Sequence, residues 1–179
     1  MIFESWGATS DEVHGAMPGD DVVDDARLVA TRSITLAAQP DEVFPWLRQM
    51  GFGRAGWYSY DLLDNLGRRS ATTVNPEWQN LNTGDAVPGG PVDFVAVLVD
   101  PPRHVVLHLG PTPAKQRRVD FSLAYDLRDD PKGTRLVTRV RARVDAPGGW
   151  LVERLLLGPG DGVMLRRQLV NLARRLSRP

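Results

Sequence analysis

The chain has 179 residues, enough for one substantial core, and its 42% apolar and 25% charged side chains fall in the ordinary globular range. Lysine plus arginine balance aspartate plus glutamate at 22 each, so no overall field holds a polyanion and nucleic acid is not expected as a partner. With no cysteine, disulfides, thiol nucleophiles and the commonest zinc frameworks are excluded.

The opening MIFESWGATSDE has neither a basic n-region nor an apolar h-region, and no run approaches the roughly 18 apolar residues of a membrane span. A cytoplasmic chain without a membrane span is expected. Residues 1–26, with four glycine or proline breaks at Gly7, Gly15, Pro18 and Gly19 and a cluster of acids, read as an irregular arm with one short helix from about Ser10. Trp6, Val13, Met17, Val22 and Val23 would anchor it on the domain formed by 27–179, because an arm without apolar contacts would not offset its ordering entropy.

Leu28 to Ala37 alternates apolar and polar residues with the period of a strand. Pro40, Asp41 and Glu42 open a helix, and Pro45 within it removes a backbone donor and is expected to kink it. A second helix is expected from about Ser59 to Leu66, stopped by Gly67. Arg68 to Thr83 is a long connection carrying Pro76, Glu77 and Trp78 that could gate a pocket or be pinned to the core.

From Gly84 short alternating strands follow: 85–88, 93–99, 104–109, 118–128 and 134–144. Matching apolar faces across the turn at 129–133 sets Phe121 opposite Ala142, Leu123 opposite Val140, Tyr125 opposite Thr138 and Asp120 opposite Arg143. Arg135, Arg139, Arg141 and Arg143 then share the other face, which reads as a solvated outer surface. A helical stretch is expected over 150–157, an interruption at Gly158-Pro159-Gly160-Asp161-Gly162, and a helix over 163–176 with Leu165, Leu169, Leu172 and Leu176 on one stripe. Such a helix must lie on the sheet.

Particular residues also look familiar. Trp6-Gly-Ala-Thr-Ser-Asp-Glu-Val with Met17-Pro-Gly-Asp-Asp, the stretch from Thr31 through Pro40, Trp46 and Gly51 to Gly56-Trp57-Tyr58-Ser59-Tyr60, Pro76-Glu77-Trp78, and Gly162-Val163-Met164-Leu165-Arg166-Arg167 resemble the START-like (SRPBCC, polyketide cyclase/dehydrase-like) superfamily of bacterial proteins. The resemblance covers nearly the whole chain. It implies an α+β helix-grip fold, a curved antiparallel sheet wrapped around a long C-terminal helix, holding a small hydrophobic, lipid- or polyketide-like molecule without a cofactor or metal, as a monomer or weak homodimer.

The candidate ligand-binding residues are Trp46, Trp57, Tyr60, Trp78, Phe94, Phe121, Leu123, Tyr125, Val140 and Leu165, around an expected cavity of order 300 to 1,000 Å³. Two alternatives stand beside the binder: a cofactor-free cyclase or dehydratase with Tyr58, Asp61, Tyr125 or His108 as acid or base, and an interaction protein with an apolar groove. Two hydrogen-bonded ionisable groups in the pocket would favour the enzyme, a single polar handle the binder. If Val105, Leu107 and Leu109 face inward, His104 and His108 face solvent, and their separation of roughly 13 Å is too long for one metal ion. His14 reads as a surface residue, Ser59 lacks a nucleophile elbow, and Gly51-Phe-Gly-Arg-Ala-Gly follows a helix, the wrong context for a dinucleotide loop.

Overall fold

The computed structural model describes residues 5–110, 118–152 and 158–177, the side chains of 150, 152 and 158–161 apart. In chain order the elements are α1 (Ser10–His14), β1 (Leu28–Leu36), α2 (Pro40–Arg48), α3 (Asp61–Asp64), a 3-10 turn (Pro76–Trp78), β2 (Ala86–Pro88), β3 (Asp93–Asp100), β4 (His104–Leu109), β5 (Val119–Asp130), β6 (Gly133–Val144), α4 (Gly149–Val152) and α5 (Gly158–Leu176). The strands form one antiparallel sheet in the order β1-β6-β5-β4-β3-β2. No helix among the described residues is long and apolar enough to cross a membrane.

Strand alternation dictates the register. Phe121 faces Ala142, Leu123 faces Val140, Tyr125 faces Thr138 and Asp120 faces Arg143. On the inner face the sheet contributes Leu36, Val105, Leu107, Tyr125, Leu127, Leu136 and Val140 to a core closed by Val43, Phe44 and Leu47 of α2 and Leu165, Leu169 and Leu172 of α5. The glycine-rich Gly158–Gly162 run does not interrupt the terminal helix but forms its opening turns. Proline is tolerated there because the first amides have no intrahelical acceptor, so Pro159 forfeits nothing. Of the helical stretch expected over 150–157, α4 covers the start, and residues 153–157 lie outside the described ones.

The second expected helix shrinks to the single turn α3. Tyr58 before it and Leu66 after it both take left-handed backbone, with φ of 57° and 49°, which a continuous right-handed helix cannot contain. The loop that follows is pinned rather than loose: Gln49 of the α2 C-terminus donates to the Thr73 carbonyl (3.2 Å) and accepts from the Asn75 amide (2.8 Å), and Arg54 donates to the Trp78 carbonyl (2.8 Å).

The outer face of β6 is not the solvated surface its arginines suggested, because the acidic arm lies on it. Glu12 in α1 accepts from Arg135 Nε (2.7 Å) and Nη2 (2.8 Å), from the Ser33 hydroxyl (2.9 Å) and from the Thr9 amide (2.8 Å). Arg139, 4% exposed, donates to the carbonyls of Glu12, Val13 and Gly15, to the Thr31 hydroxyl and to the Asp20 carboxylate (2.6 Å). Arg141 reaches the carbonyls of Val23 and Asp24, and Arg143 pairs with Asp25. Beside these polar contacts Met17 packs on Val106, Ala124 and Val137 in a second apolar cluster. Gly7 allows the close approach: its φ is 71°, and a Cβ there would stand 2.2 Å from the Ser33 carbonyl oxygen.

Candidate functional site

Most of the space between sheet and helix is filled by the protein itself. Tyr125, Leu169, Leu172 and Met50 are all buried to 1% exposure or less, and a chain of hydrogen bonds runs among them. The Tyr125 hydroxyl donates to Gln168 Oε1 (2.9 Å), and Gln168 Nε2 donates to the Trp57 carbonyl (2.8 Å), tying β5, α5 and the segment before α3 together. A cavity of about 200 Å³ remains at one end, lined by Trp57, Ser59, Asp64, Gly89, Phe94, Phe121, Leu123, Met164, Leu165 and Gln168. It is smaller than the expected 300 to 1,000 Å³ because Tyr125, Met50 and Gln168 occupy the rest.

One wall is aromatic. Trp57 meets Phe94 edge to face at 5.6 Å between ring centroids, and Phe94 meets Phe121 at 6.1 Å, a geometry the ring quadrupoles favour. The Phe94 ring lies so close to Gly89 that a Cβ there would meet it at 2.6 Å, so glycine is what lets the turn after β2 wrap the cavity. Leu123 from β5 and Leu165 from α5 add aliphatic lining to the remaining space.

Asp64 is the only ionisable group among the described lining residues. Both of its carboxyl oxygens are shielded from solvent and have no side-chain donor among the described residues, the backbone amides of Tyr60 and Asp64 being the donors that act on the carboxyl, although the residue as a whole is half-buried. Burial first, and the neighbouring charge of Asp61 second, push its carboxyl up to about 6 from an ordinary 3.8. A carboxyl whose folded-state pKa is raised opposes folding once the unfolded chain would ionise it, so its cost is absent below about pH 4, grows as pH rises and is complete above about pH 6. Asp64→Asn is therefore expected to stabilise the protein near pH 7.5 by about 1–2 kcal/mol, the shift being discounted for solvent screening. Thermal melts at about pH 7.5 and pH 4 check this: a gain at the higher pH that fades at the lower one is the expected result.

The remaining polar lining is already engaged. The Ser59 hydroxyl donates to the Met164 carbonyl (2.9 Å), and the Gln168 amide is spent on Tyr125 and Trp57.

No family model matches the sequence, and no curated protein matches it. Solved structures do match. The protein MLL2253 from Mesorhizobium loti superposes with a TM-score of 0.51 at 13% identity, over 83% of this chain and 96% of that one. The di-domain ARO/CYC BexL from the BE-7585A biosynthetic pathway gives 0.53 at 14% identity over 89% of this chain, which spans 54% of BexL. A protein from Rhodobacter sphaeroides gives 0.51 at 12% identity, over 83% and 92% of the two chains. The arrangement is consistent with a helix-grip α+β fold. At such identities the likeness is one of fold alone.

Within that helix-grip arrangement five of the residues singled out from sequence, Trp57, Phe94, Phe121, Leu123 and Leu165, come together on the cavity. Trp46, Tyr125 and Val140 lie in the packed core beneath it. Tyr60 is 38% exposed under the guanidinium of Arg167 on a separate groove of α5, and Trp78 lines a hollow formed by the 71–76 loop.

The four acid-base candidates are all engaged elsewhere. The Tyr58 hydroxyl donates to the Trp46 carbonyl (3.0 Å) and accepts from Gln49 (2.8 Å), and burial pushes its ionisation far up. Asp61 accepts from the Ser70 amide and hydroxyl. Tyr125 holds Gln168. His108 is on the outer face beside Asp120 at 2.7 Å, because Val105 and Leu107 take the inner positions of β4; His104 on the same face contacts Asp100 (2.9 Å) and Asp126 (3.3 Å). The six-residue glycine run closes on itself as a Gly51–Gly56 bridge after α2.

Asp64, Gly89, Met164 and Gln168 were not singled out from sequence. Gln168 had a readable signal, a polar side chain on the same helical stripe as Leu165, Leu169 and Leu172.

Proposed function

We propose that this protein is a START-like (SRPBCC) single domain, its arm included, that binds one small, largely apolar molecule between the sheet and α5. The supporting observation is an apolar, aromatic-walled cavity of about 200 Å³ with a single ionisable side chain. A cavity of roughly 150 Å³ suffices for benzene, so the guest is of one-ring or short-chain size, with burial of its apolar surface as the driving force. Binding is favoured over acid-base catalysis because no two ionisable groups face the cavity together among the described residues and its other polar groups are spent on the protein's own carbonyls.

Titration with toluene, followed by methyl NMR, tests the reading. Saturable shifts confined to Leu123, Met164 and Leu165 are expected. Shifts absent from these three at toluene saturation would remove the binding role.

A further inference from the structure

The chain between Tyr58 and Ala71 leaves α5 and comes back to it. At its start Asn171 donates to the Tyr58 carbonyl (2.8 Å) and the Ser59 hydroxyl to the Met164 carbonyl (2.9 Å); at its end Arg175 donates to the Ala71 carbonyl (2.9 Å). Between these clamps the loop carries α3 and turns three leucines outward. Leu62, Leu63 and Leu66 are 78%, 71% and 76% exposed, more than any other large apolar side chain among the described residues.

The same face is basic. Arg68 and Arg69 follow on the loop, both exposed. Arg166, Arg167 and Arg174 line a hollow of α5 with Tyr60, the residue before α3, and Arg167 lies over the Tyr60 ring at 5.5 Å. None of these five arginines pairs with an acid among the described residues. The acids of the loop turn inward: Asp61 accepts from Ser70, and the Asp64 oxygens are shielded from solvent. The described side chains of α5 include no acid. Because the whole chain carries no net charge, the positive field belongs to this face and sets an orientation.

A second copy of the chain would bring like charges together across a two-fold contact. Protein partners draw most of their binding energy from aromatic and arginine anchors in fitted pockets, where leucine is under-represented. Hydrocarbon needs no fitted shape, and leucines flanked by arginines match an anionic bilayer, apolar tips below the headgroups and guanidiniums at the phosphates.

We infer that the 60–69 loop and the adjoining side of α5 dock on an anionic lipid surface, with Leu62, Leu63 and Leu66 entering the acyl boundary. The inference stands independently of the ligand-binding reading.

Flotation with vesicles of about 30% phosphatidylglycerol in phosphatidylcholine tests it. The protein should partition onto these at least tenfold more strongly than onto pure phosphatidylcholine, each arginine near such a surface being worth about fivefold, and salt at about 0.5 M should weaken the binding. Leu62→Gln/Leu63→Gln/Leu66→Asn should lower partitioning at least tenfold with the melting temperature unchanged, since the three side chains are exposed and asparagine tolerates the left-handed backbone of Leu66. A label gives a second readout. The chain has no cysteine, so Leu63→Cys takes an environment-sensitive fluorophore at one place, and its emission should brighten and shift to the blue on the anionic vesicles. The same label on Lys132→Cys, in the exposed turn between β5 and β6, should not respond. Absence of partitioning onto the anionic vesicles, partitioning unchanged in the folded triple variant, or a Leu63→Cys label that keeps its aqueous emission overturns the inference and leaves the ligand-binding reading standing. A leucine-dependent dimer in sedimentation without vesicle binding also overturns it and assigns the face to a second copy.

Discussion

Arg139→Ala is expected to lower stability by about 3–5 kcal/mol, the range for removing one partner of a buried charged network, and to drop the melting temperature by about 10 °C for a chain of this size. Arg139 is almost wholly buried, and its guanidinium satisfies three arm carbonyls, the Thr31 hydroxyl and the Asp20 carboxylate at once. Alanine leaves the three carbonyls and the Thr31 hydroxyl without that donor beneath the arm, while Asp20 keeps only the Met17 amide and the more distant Arg141.

Acid should loosen the same strap. Hydrogen bonding from Arg135 holds the Glu12 carboxyl down to about 2 from 4.5, so its contribution is complete above about pH 4.5 and is lost as pH falls towards 2. That contribution is about 2 kcal/mol after allowance for screening. Limited proteolysis within residues 5–26 alongside thermal melts checks both statements. A loss under 1 kcal/mol for Arg139→Ala with an arm still protected would mean that the arm is held by its apolar anchors alone.

Met164→Trp is expected to weaken toluene binding about a hundredfold while changing stability by only about 1 kcal/mol. Met164 lines the cavity from α5 and is half-buried, and its link to Ser59 runs through its backbone carbonyl, which the substitution keeps. An indole there fills the space a guest would take, so the guest loses the burial that drives its binding, about 2–3 kcal/mol for a one-ring molecule. The half-buried rim position limits the overpacking cost. Affinity unchanged in a folded Met164→Trp variant would move the binding site elsewhere.

The sheet was legible because its signal is geometric. Alternation in Val119–Asp130 and Gly133–Val144 admits one register that keeps four arginines off the core, and the structure has it. What covers those arginines was not legible from the strand, since a solvated face and a face under an acidic arm have the same alternation. The complementary signal was in the arm, where Glu12, Asp20 and Asp25 stand at positions that reach Arg135, Arg139 and Arg143.

Composition near Trp57 pointed to the right end of the fold for the candidate site. It could not separate a residue lining space from one filling it. Tyr125 and Leu123 are two residues apart on the same strand face, yet Tyr125 is locked to Gln168 in solid core and Leu123 borders the cavity. The difference depends on how deep α5 sits over each, which no local pattern encodes. Asp64 was hidden for a related reason: its burial beside the cavity depends on where the single turn α3 packs, which a short acidic stretch does not encode.

Xenon pressurisation of crystals of the wild-type protein measures the apolar space at this end of the fold directly. The account predicts ordered xenon density bounded by Trp57, Phe94, Phe121, Leu123 and Leu165, displaced when crystals are soaked in toluene. Side chains closed over that volume, with xenon only in surface hollows such as the one beside Trp78, would contradict it.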